Sequence, residues 1–449
     1  MSSLTNKTPF IIFFIALLLR SIALILFQTW TNPNTLEYGQ MAENILLGKG
    51  LSFDFYGLRE IHPFRSFMPP LYPFLMAFFI AHFPEPYLSL LIIQTILSSL
   101  TALNIYYTGL WLFGRKTGLI AGIGVAIYPV FIISSTSSFY PVTIDIFLIS
   151  LIVLLAIKIK ESENLVYPFA AGIIIGISGL SIPQIIAFYP FIILWLFISK
   201  TPFILRKSAI IAIMTVLMLS PWLIRNYSIH SKFLISTNGG FNFWLGNNPF
   251  TTGIGWEIDE KAYRLYTSNQ PVDNSIFAEV PDRTLYPDAF KSFLKKRTNA
   301  SLPKEVAENI PNLSEANIDS LLFKAGLKYI VENPSAYIKR SFKKISYLMI
   351  YRPPEGRKAT FAGRFSLLYV IHYMFLTPLV LGGIVISMLQ KNWKDPLLLY
   401  FVMIFFVMVY MNFFVLSRYR WLFEPYMIAV ASFFIIFLYR TARSYCKTF

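Results

Sequence analysis

Apolar positions along this chain do not alternate. They come in continuous runs of about 20 residues, the length of a helix that crosses a bilayer. After a first run inside "MSSLTNKTPFIIFFIALLLRSIALILFQ", such runs fall at 88–112, 117–136, 141–158, 166–181, 184–199, 207–224, 366–389, 396–416 and 421–440. A transmembrane β-barrel is excluded, because its strands alternate every second residue. The pattern predicts an all-α polytopic membrane protein with about ten transmembrane helices. The first run ends in "QTWTNPN", with no small-x-small cleavage site. It is read as an uncleaved span with Trp30 as interfacial anchor, not as a signal peptide.

One apolar stretch falls outside this series. "PPLYPFLMAFFIAHF" (69–83) is bracketed by Pro69, Pro70 and Pro73 before and Pro84 and Pro86 after. As a helix, Leu71 to Phe83 reaches only about 20 Å, against a hydrocarbon core of about 30 Å. Charge decides the matter. "GRK" (114–116), "KIKESEN" (158–164), "KTPFILRK" (200–207), "QKNWKD" (390–395) and the tail "RTARSYCKTF" are short and basic. All of them fall inside together only if the stretch does not cross, so it is predicted to be an interfacial or re-entrant helix. Both termini are then cytoplasmic, and residues 31–86 and 225–365 are outside.

The domain reading follows. Residues 1–224 form a catalytic transmembrane module with outer loop 31–86. Residues 225–365 form a sizeable outer loop domain between spans seven and eight, with amphipathic helices. Residues 366–449 form a three-span bundle and a basic tail. In the outer domain, "SEANIDSLLFKAGLKYIVENP" has helical apolar spacing and stops at Pro334. "SAYIKRSFKKISYLMIYR" is a basic amphipathic helix leading back to the membrane.

Composition agrees: only 14% of residues are charged, against about a quarter in soluble domains. The net charge of +16 would suggest nucleic acid in a soluble chain; here it fits basic cytoplasmic loops and anionic lipid. No nucleic-acid-binding module is apparent. Cys446 is the lone cysteine, so no intrachain disulfide forms. His62, His82, His230 and His372 lack the spacing of a zinc hydrolase. "GIIIGISG", with Gly172, Gly176 and Gly179, is a small-residue face for close helix packing. No phosphate loop or dinucleotide fingerprint occurs, so a nucleotide sugar is not the obvious donor.

Candidate chemistry lies in the first outer loop. Glu37 follows the exit of span one, and Gly48 and Gly50 break the helix that begins near it. Such a carboxylate can act as general base when burial or a partner tunes it, or simply favour a helix start. Asp145, one turn into a span, is costly there and is a functional candidate by default.

"EYGQMAENILLGKGLS" followed by "FMPPLYPFLMA" resembles the first outer loop of the GT-C glycosyltransferases, in the protein O-mannosyltransferase-like and aminoarabinose-transferase-like branch. "GLWLFGRKTGLIAGIGVAIYPVFI", "SPWLIRNYSIHSKFLISTNGGFNFWLGNNP" and "RYRWLFEPYMIAVAS" extend the likeness over most of the chain. The resemblance implies a multi-span enzyme that moves a sugar from a polyprenyl-phosphate carrier to a lipid, glycan or protein acceptor, at the outer face of a bacterial inner membrane. It implies that the first-loop acid contacts the acceptor or a metal. Glu37 beside Tyr38 takes that role, with Asn34 as neighbour, and Asp145 stands for the second acid. The Lys that precedes "PP" in the aminoarabinose branch is Met68 here, which argues against that sugar.

Departure of a polyprenyl phosphate builds negative charge that a cation must stabilise, and Arg suits phosphate. Arg65, Arg225, Arg418 and Arg420 lie on the predicted outer face against the positive-inside trend; their alternative role is headgroup snorkelling. Tyr38, Tyr72, Tyr140, Asn242 and Asn247 are candidates for contacting sugar or acceptor. No particular cofactor is indicated, although Glu37 and Asp145 suit a divalent ion. The expected activity is inverting glycosyl transfer. Two competing readings are a lipid-linked oligosaccharide flippase and an O-antigen polymerase or ligase. A flippase would carry charges along several spans, whereas here they sit at span ends.

Overall fold

In a computed structural model, the structure describes residues 7–54, 63–255, 258–267, 272–277, 292–293, 295–297, 300–310, 312–349 and 361–448. His62 and the end of the long outer segment, 350–360, lie outside the described residues, as does the side chain of His372. The described residues are helical, with no β-strand and only isolated bridges such as Phe53 with Phe64.

In chain order the helices are α1 (Thr8–Phe27), α2 (Leu36–Leu46), α3 (Leu71–His82), α4 (Pro86–Phe113), α5 (Arg115–Ile127), α6 (Pro129–Ser137), α7 (Val142–Glu161), α8 (Val166–Gly179), α9 (Tyr189–Ile198) and α10 (Ile204–His230). The long segment holds α11 (Gly239–Gly246), α12 (Glu260–Tyr266), α13 (Lys304–Asn309), α14 (Glu315–Glu332) and α15 (Pro334–Met349). The chain closes with α16 (Phe361–Met388), α17 (Leu397–Asn412) and α18 (Glu424–Thr448).

Among the described residues, five helices are long and apolar enough to cross a membrane: α1, α4, α7, α10 and the Glu424–Ser444 part of α18. A sixth is the pair α5 and α6, bent by 45°. The sequence pattern predicts one unbroken run there. Pro129 has no N–H to continue the helix and forces Tyr128 into an extended conformation. The remaining expected spans correspond to shorter apolar helices: α8, Pro183–Ile198, Met374–Met388 and α17.

Arg20, in the middle of α1, is fully buried against this break. Its guanidinium donates to the Ala126 carbonyl at 2.8 Å, the Val125 carbonyl at 3.3 Å and Ser98 Oγ at 2.8 Å. It thus supplies donors to carbonyls that the bend takes out of the helical ladder. The small-residue face of α8 packs inside the bundle: a Cβ at Gly172 would lie 2.6 Å from the Ile211 carbonyl of α10.

The basic connections gather at one end. Lys158 Nζ lies 3.7 Å from the Trp111 ring centroid. Lys160 pairs with Asp395, and Trp195 Nε1 donates to the Lys394 carbonyl. Lys207 Nζ donates to the carbonyls of Ile159 and Ser162. At the opposite end, Thr29, just past α1, bonds the Thr136 carbonyl, and Tyr87, at the start of α4, packs on Phe139. The chain therefore leaves α1 and enters α4 at the same end, and α3 between them begins and ends on one side. Its 12 residues are also too short to cross, at about 1.5 Å per residue. Leu71, its first residue, donates its backbone N–H to the Leu180 carbonyl just past α8.

The first loop and the long segment share one core. Phe53, Phe64 and Phe67 pack with Phe241, Trp244 and Leu322, so the two segments support each other above the same end of the bundle.

Candidate active site

Helix α2 follows α1 at the end away from the basic connections. Tyr38, Met41, Ala42 and Ile45 recur at helical spacing and turn inward. That face carries Glu37 with it into burial, in the first turn, where the helix dipole favours a carboxylate. Gly48 and Gly50 have φ of 73° and 70°, left-handed backbone that ends the helix as the sequence predicts. Gly39 is required one turn along, because a Cβ there would lie 2.0 Å from Thr35 Oγ1.

A cavity of about 430 Å³ opens beneath this helix. Glu37, Tyr38, Tyr140, Asp145, Asn242 and Arg418 all line it. Six of the sequence-predicted residues are thereby brought together from α2, the start of α7, α11 and the turn Ser417–Leu422. Phe67, Met68 and Pro69 of the first loop, with Asn238 and Gly239 at the start of α11, form further wall.

Tyr140 is the centre of the arrangement. Its hydroxyl donates to Glu37 Oε1 at 3.5 Å, and the Arg418 guanidinium lies 4.4 Å from its ring centroid. Tyr38 meets the same ring edge-on at 5.4 Å. Burial alone would lower the Arg418 pKa, but Tyr140, Tyr419, Glu37 and Tyr38 raise it above the ordinary arginine value, so the group stays charged. Burial and the adjacent Glu37 push the Tyr38 phenol well up, keeping it a neutral donor. On another wall Asp145 Oδ1 accepts from Ser181 Oγ at 2.6 Å, and Gln184 donates to the Tyr410 hydroxyl at 3.3 Å. Tyr410 stacks on Tyr419 at 4.3 Å.

The other predicted residues lie elsewhere, for physical reasons the sequence does not display. Arg420 is fully buried, paired with Glu424 at 2.7 Å and bonded to the carbonyls of Leu348 and Met349. Arg225 lies over Trp222 and donates to the Arg65 carbonyl, Ser66 Oγ and Asn226 Oδ1. Arg65 enters that knot through its backbone. The four arginines thus do not converge, and of them only Arg418 lines the cavity. Tyr72 is buried behind it, edge-on to Tyr38 at 5.1 Å and bonded to Gln94. Asn247 bonds the carbonyls of Phe243 and Asn412, a structural position.

Sequence reasoning missed Glu315, at the start of α14. Its carboxylate accepts from the backbone N–H of Arg65 and Ser66 at 2.8 Å each and from the Thr237 hydroxyl, with His230 Nε2 at 3.7 Å. It ties the first loop, just before Phe67–Pro69, to the segment that leads into Asn238. An acid after an N-cap serine reads as an ordinary helix start, so no local signal marks it. Ser181 and Gln184 had a weak signal, as polar residues around Pro183 between two apolar runs.

Among the described residues no group of three or more His, Cys, Asp or Glu side chains gathers as a metal site. Glu37 and Asp145 both face the cavity, but Asp145 is already engaged by Ser181. Two carboxylates alone fall short of a protein-built cage for a hard cation.

Residues 68–224 match the sequence profile of the family described as dolichyl-phosphate-mannose-protein mannosyltransferase. No curated protein matches the sequence. Among solved structures, the archaeal oligosaccharyltransferase AglB from Archaeoglobus fulgidus, in complex with an inhibitory peptide and a dolichol-phosphate, aligns with 100% of this chain and 52% of its own, at 15% identity and a TM-score of 0.54. The apo form of the A. fulgidus oligosaccharyltransferase gives the same coverage and identity, with a TM-score of 0.51. ArnT from Cupriavidus metallidurans bound to undecaprenyl phosphate aligns with 93% of this chain and 77% of its own, at 12% identity and a TM-score of 0.41. The chain spans about half the length of the oligosaccharyltransferase structures it matches. The resemblance to the GT-C glycosyltransferases read from the sequence thus holds, by the mannosyltransferase profile over residues 68–224 and by the oligosaccharyltransferase fold over the whole chain.

Proposed function

We propose that the chain is a multi-pass membrane glycosyltransferase that moves a sugar from a polyprenyl-phosphate carrier to an acceptor, with inversion, at the outer face of a bacterial inner membrane. On this reading the chain crosses ten times, with both termini in the cytoplasm and the cavity outside, a reading supported by the short basic connections gathered at the end of the bundle away from the cavity. The observation that carries this reading is the cavity itself, where a buried acid and a charged arginine meet across Tyr140.

In the reaction, an acceptor lone pair attacks the anomeric carbon as the bond from that carbon to the phosphate oxygen breaks. The acceptor proton passes to the Glu37 carboxylate. The leaving phosphate gains a negative charge, which Arg418 stabilises more strongly in the transition state than in the donor. Asp145 and Asn242 offer polar contacts for sugar or acceptor hydroxyls. No step requires a metal. The acid and arginine of the cavity lie at span ends, which favours this over a flippase, and the cation in mid-span, Arg20, is taken up by Ser98 and backbone carbonyls.

Replacing Glu37 by Gln tests the assignment. Mass spectrometry of envelope glycans and glycoproteins should show loss of one sugar modification in cells carrying only that variant, while the variant remains folded and at normal abundance. Unchanged glycans in those cells would remove Glu37 from the mechanism.

A further inference from the structure

The two consecutive helices of the long segment repeat one small pattern. Along α14 the pairs Phe323–Lys324, Leu327–Lys328 and Val331–Glu332 recur every four residues, and along α15 Ile338–Lys339 and Phe342–Lys343 do the same. Four-residue spacing places the apolar members on one face of each helix. These side chains are exposed: Val331 at 72%, Phe342 at 69% and Ile338 at 52%. All four lysines beside them are exposed too. The opposite faces are occupied within the protein, with Leu322 in the core shared with the first loop and Tyr347 and Leu348 in the bundle core.

Contacts place both helices at the membrane boundary. The Tyr337 hydroxyl donates to Asn412 Oδ1 at 2.6 Å, and Lys344 Nζ donates to the Met411 carbonyl at 3.2 Å, both at the end of α17. At the start of α14, Glu315 lies 3.7 Å from His230, the last residue of α10. The pair thus runs along the ends of the membrane helices. Large apolar side chains exposed at that level, four of the five followed by a lysine, suit a bilayer surface: the apolar groups enter the acyl boundary and the lysines reach the headgroups.

We propose that this lysine-flanked face of α14 and α15 docks on the anionic phospholipid surface of the leaflet beside the cavity. Sign favours anionic over zwitterionic headgroups: four lysines face one acid, Glu332, which already lies 3.8 Å from Lys328. The proposal rests on the membrane topology and stands apart from the identity of the reaction.

The test uses the full chain in lipid nanodiscs, with Cys446→Ser as background and a nitroxide at Phe342→Cys. A label at Lys261→Cys, exposed on the same segment, is the water-facing control. In phosphatidylglycerol discs the label at 342 should be several-fold less accessible to a water-soluble nickel chelate than the control, and more accessible to oxygen. That protection should weaken in phosphatidylcholine discs, and in phosphatidylglycerol discs when Lys339→Gln and Lys343→Gln are added. A label at 342 as open to nickel as the control in both lipids would overturn the docking. Protection equal in both lipids and indifferent to the lysines would overturn its anionic partner.

Discussion

Replacing Glu315 by Ala should loosen the rim of the cavity without touching any residue that lines it. In the wild-type protein one buried carboxylate accepts two backbone N–H groups and a hydroxyl. Hydrogen bonds to a charged acceptor contribute about 1.5–3 kcal/mol each, and they are not additive. Ser66 is fully buried, so its N–H would lose its partner with no water to replace it, whereas Arg65 is exposed and can be hydrated. The net cost of the deletion is then about 3–5 kcal/mol. The loss should appear as local opening rather than global unfolding. Hydrogen exchange at Ser66 should accelerate by roughly two to nearly four orders of magnitude, at 1.36 kcal/mol per factor of ten. Glu315→Gln keeps one acceptor oxygen but aims an NH2 group at a donor, so it should fall between. Donor KM should rise in both variants, because Phe67–Pro69 follow directly on the freed residues. Exchange at Ser66 within threefold of wild type in Glu315→Ala would refute the latch.

Tyr140 holds two groups by two different means, and its variants should separate them. Tyr140→Phe keeps the ring beneath Arg418 and should lower kcat less than about tenfold, since the bond to Glu37 is long. Tyr140→Leu removes the cation–π contact as well and should raise donor KM about 2- to 30-fold, from 0.5–2 kcal/mol; identical kinetics for the two variants would contradict this division. Arg420→Met alone leaves the buried Glu424 without its cation and should cost about 3–5 kcal/mol in thermal stability, most of it recovered by adding Glu424→Leu. Burial, aided by Arg340, lowers the Lys344 pKa from 10.5 to about 7. Below pH 7 the group is charged whether folded or unfolded. Between about pH 7 and 10.5 only the unfolded chain keeps the proton, so stability should rise with pH across that window. Lys344→Met should flatten the rise, as thermal melts at several pH values would show.

The apolar runs and the charge of the connections were enough to read the helical bundle and the side on which α3 stays, because both follow from solvent preference along the chain. Helix α2 was legible for a similar local reason: Glu37 at its start and Gly48 at its end are one-dimensional signals. The bend at Pro129 was not legible from the continuous apolar run at 117–136, since the donor that takes up its carbonyls, Arg20, comes from over a hundred residues away. The arginines divide in the same way. Arg418 and Arg420 stand two residues apart, and only packing decides that one meets Tyr140 and the other Glu424. Glu315 was invisible because its partners lie 78 to 250 residues away.

Arg20 has a consequence for the order in which the protein is made. Helix α1 enters the bilayer carrying a cation whose placement at mid-membrane costs about 2.5–3.5 kcal/mol on insertion scales. Apart from the Ala16 carbonyl of its own helix, the groups that receive it, Ser98 and the carbonyls at 125 and 126, do not exist until α4 and α5 have been synthesised. The first helix must therefore wait in the membrane incompletely satisfied and dock late, as the keystone of the bend. A generic apolar anchor helix without that cation would insert more readily in its place but would leave the Ala126 carbonyl without the arginine donor and the Val125 carbonyl with only the Tyr128 N–H.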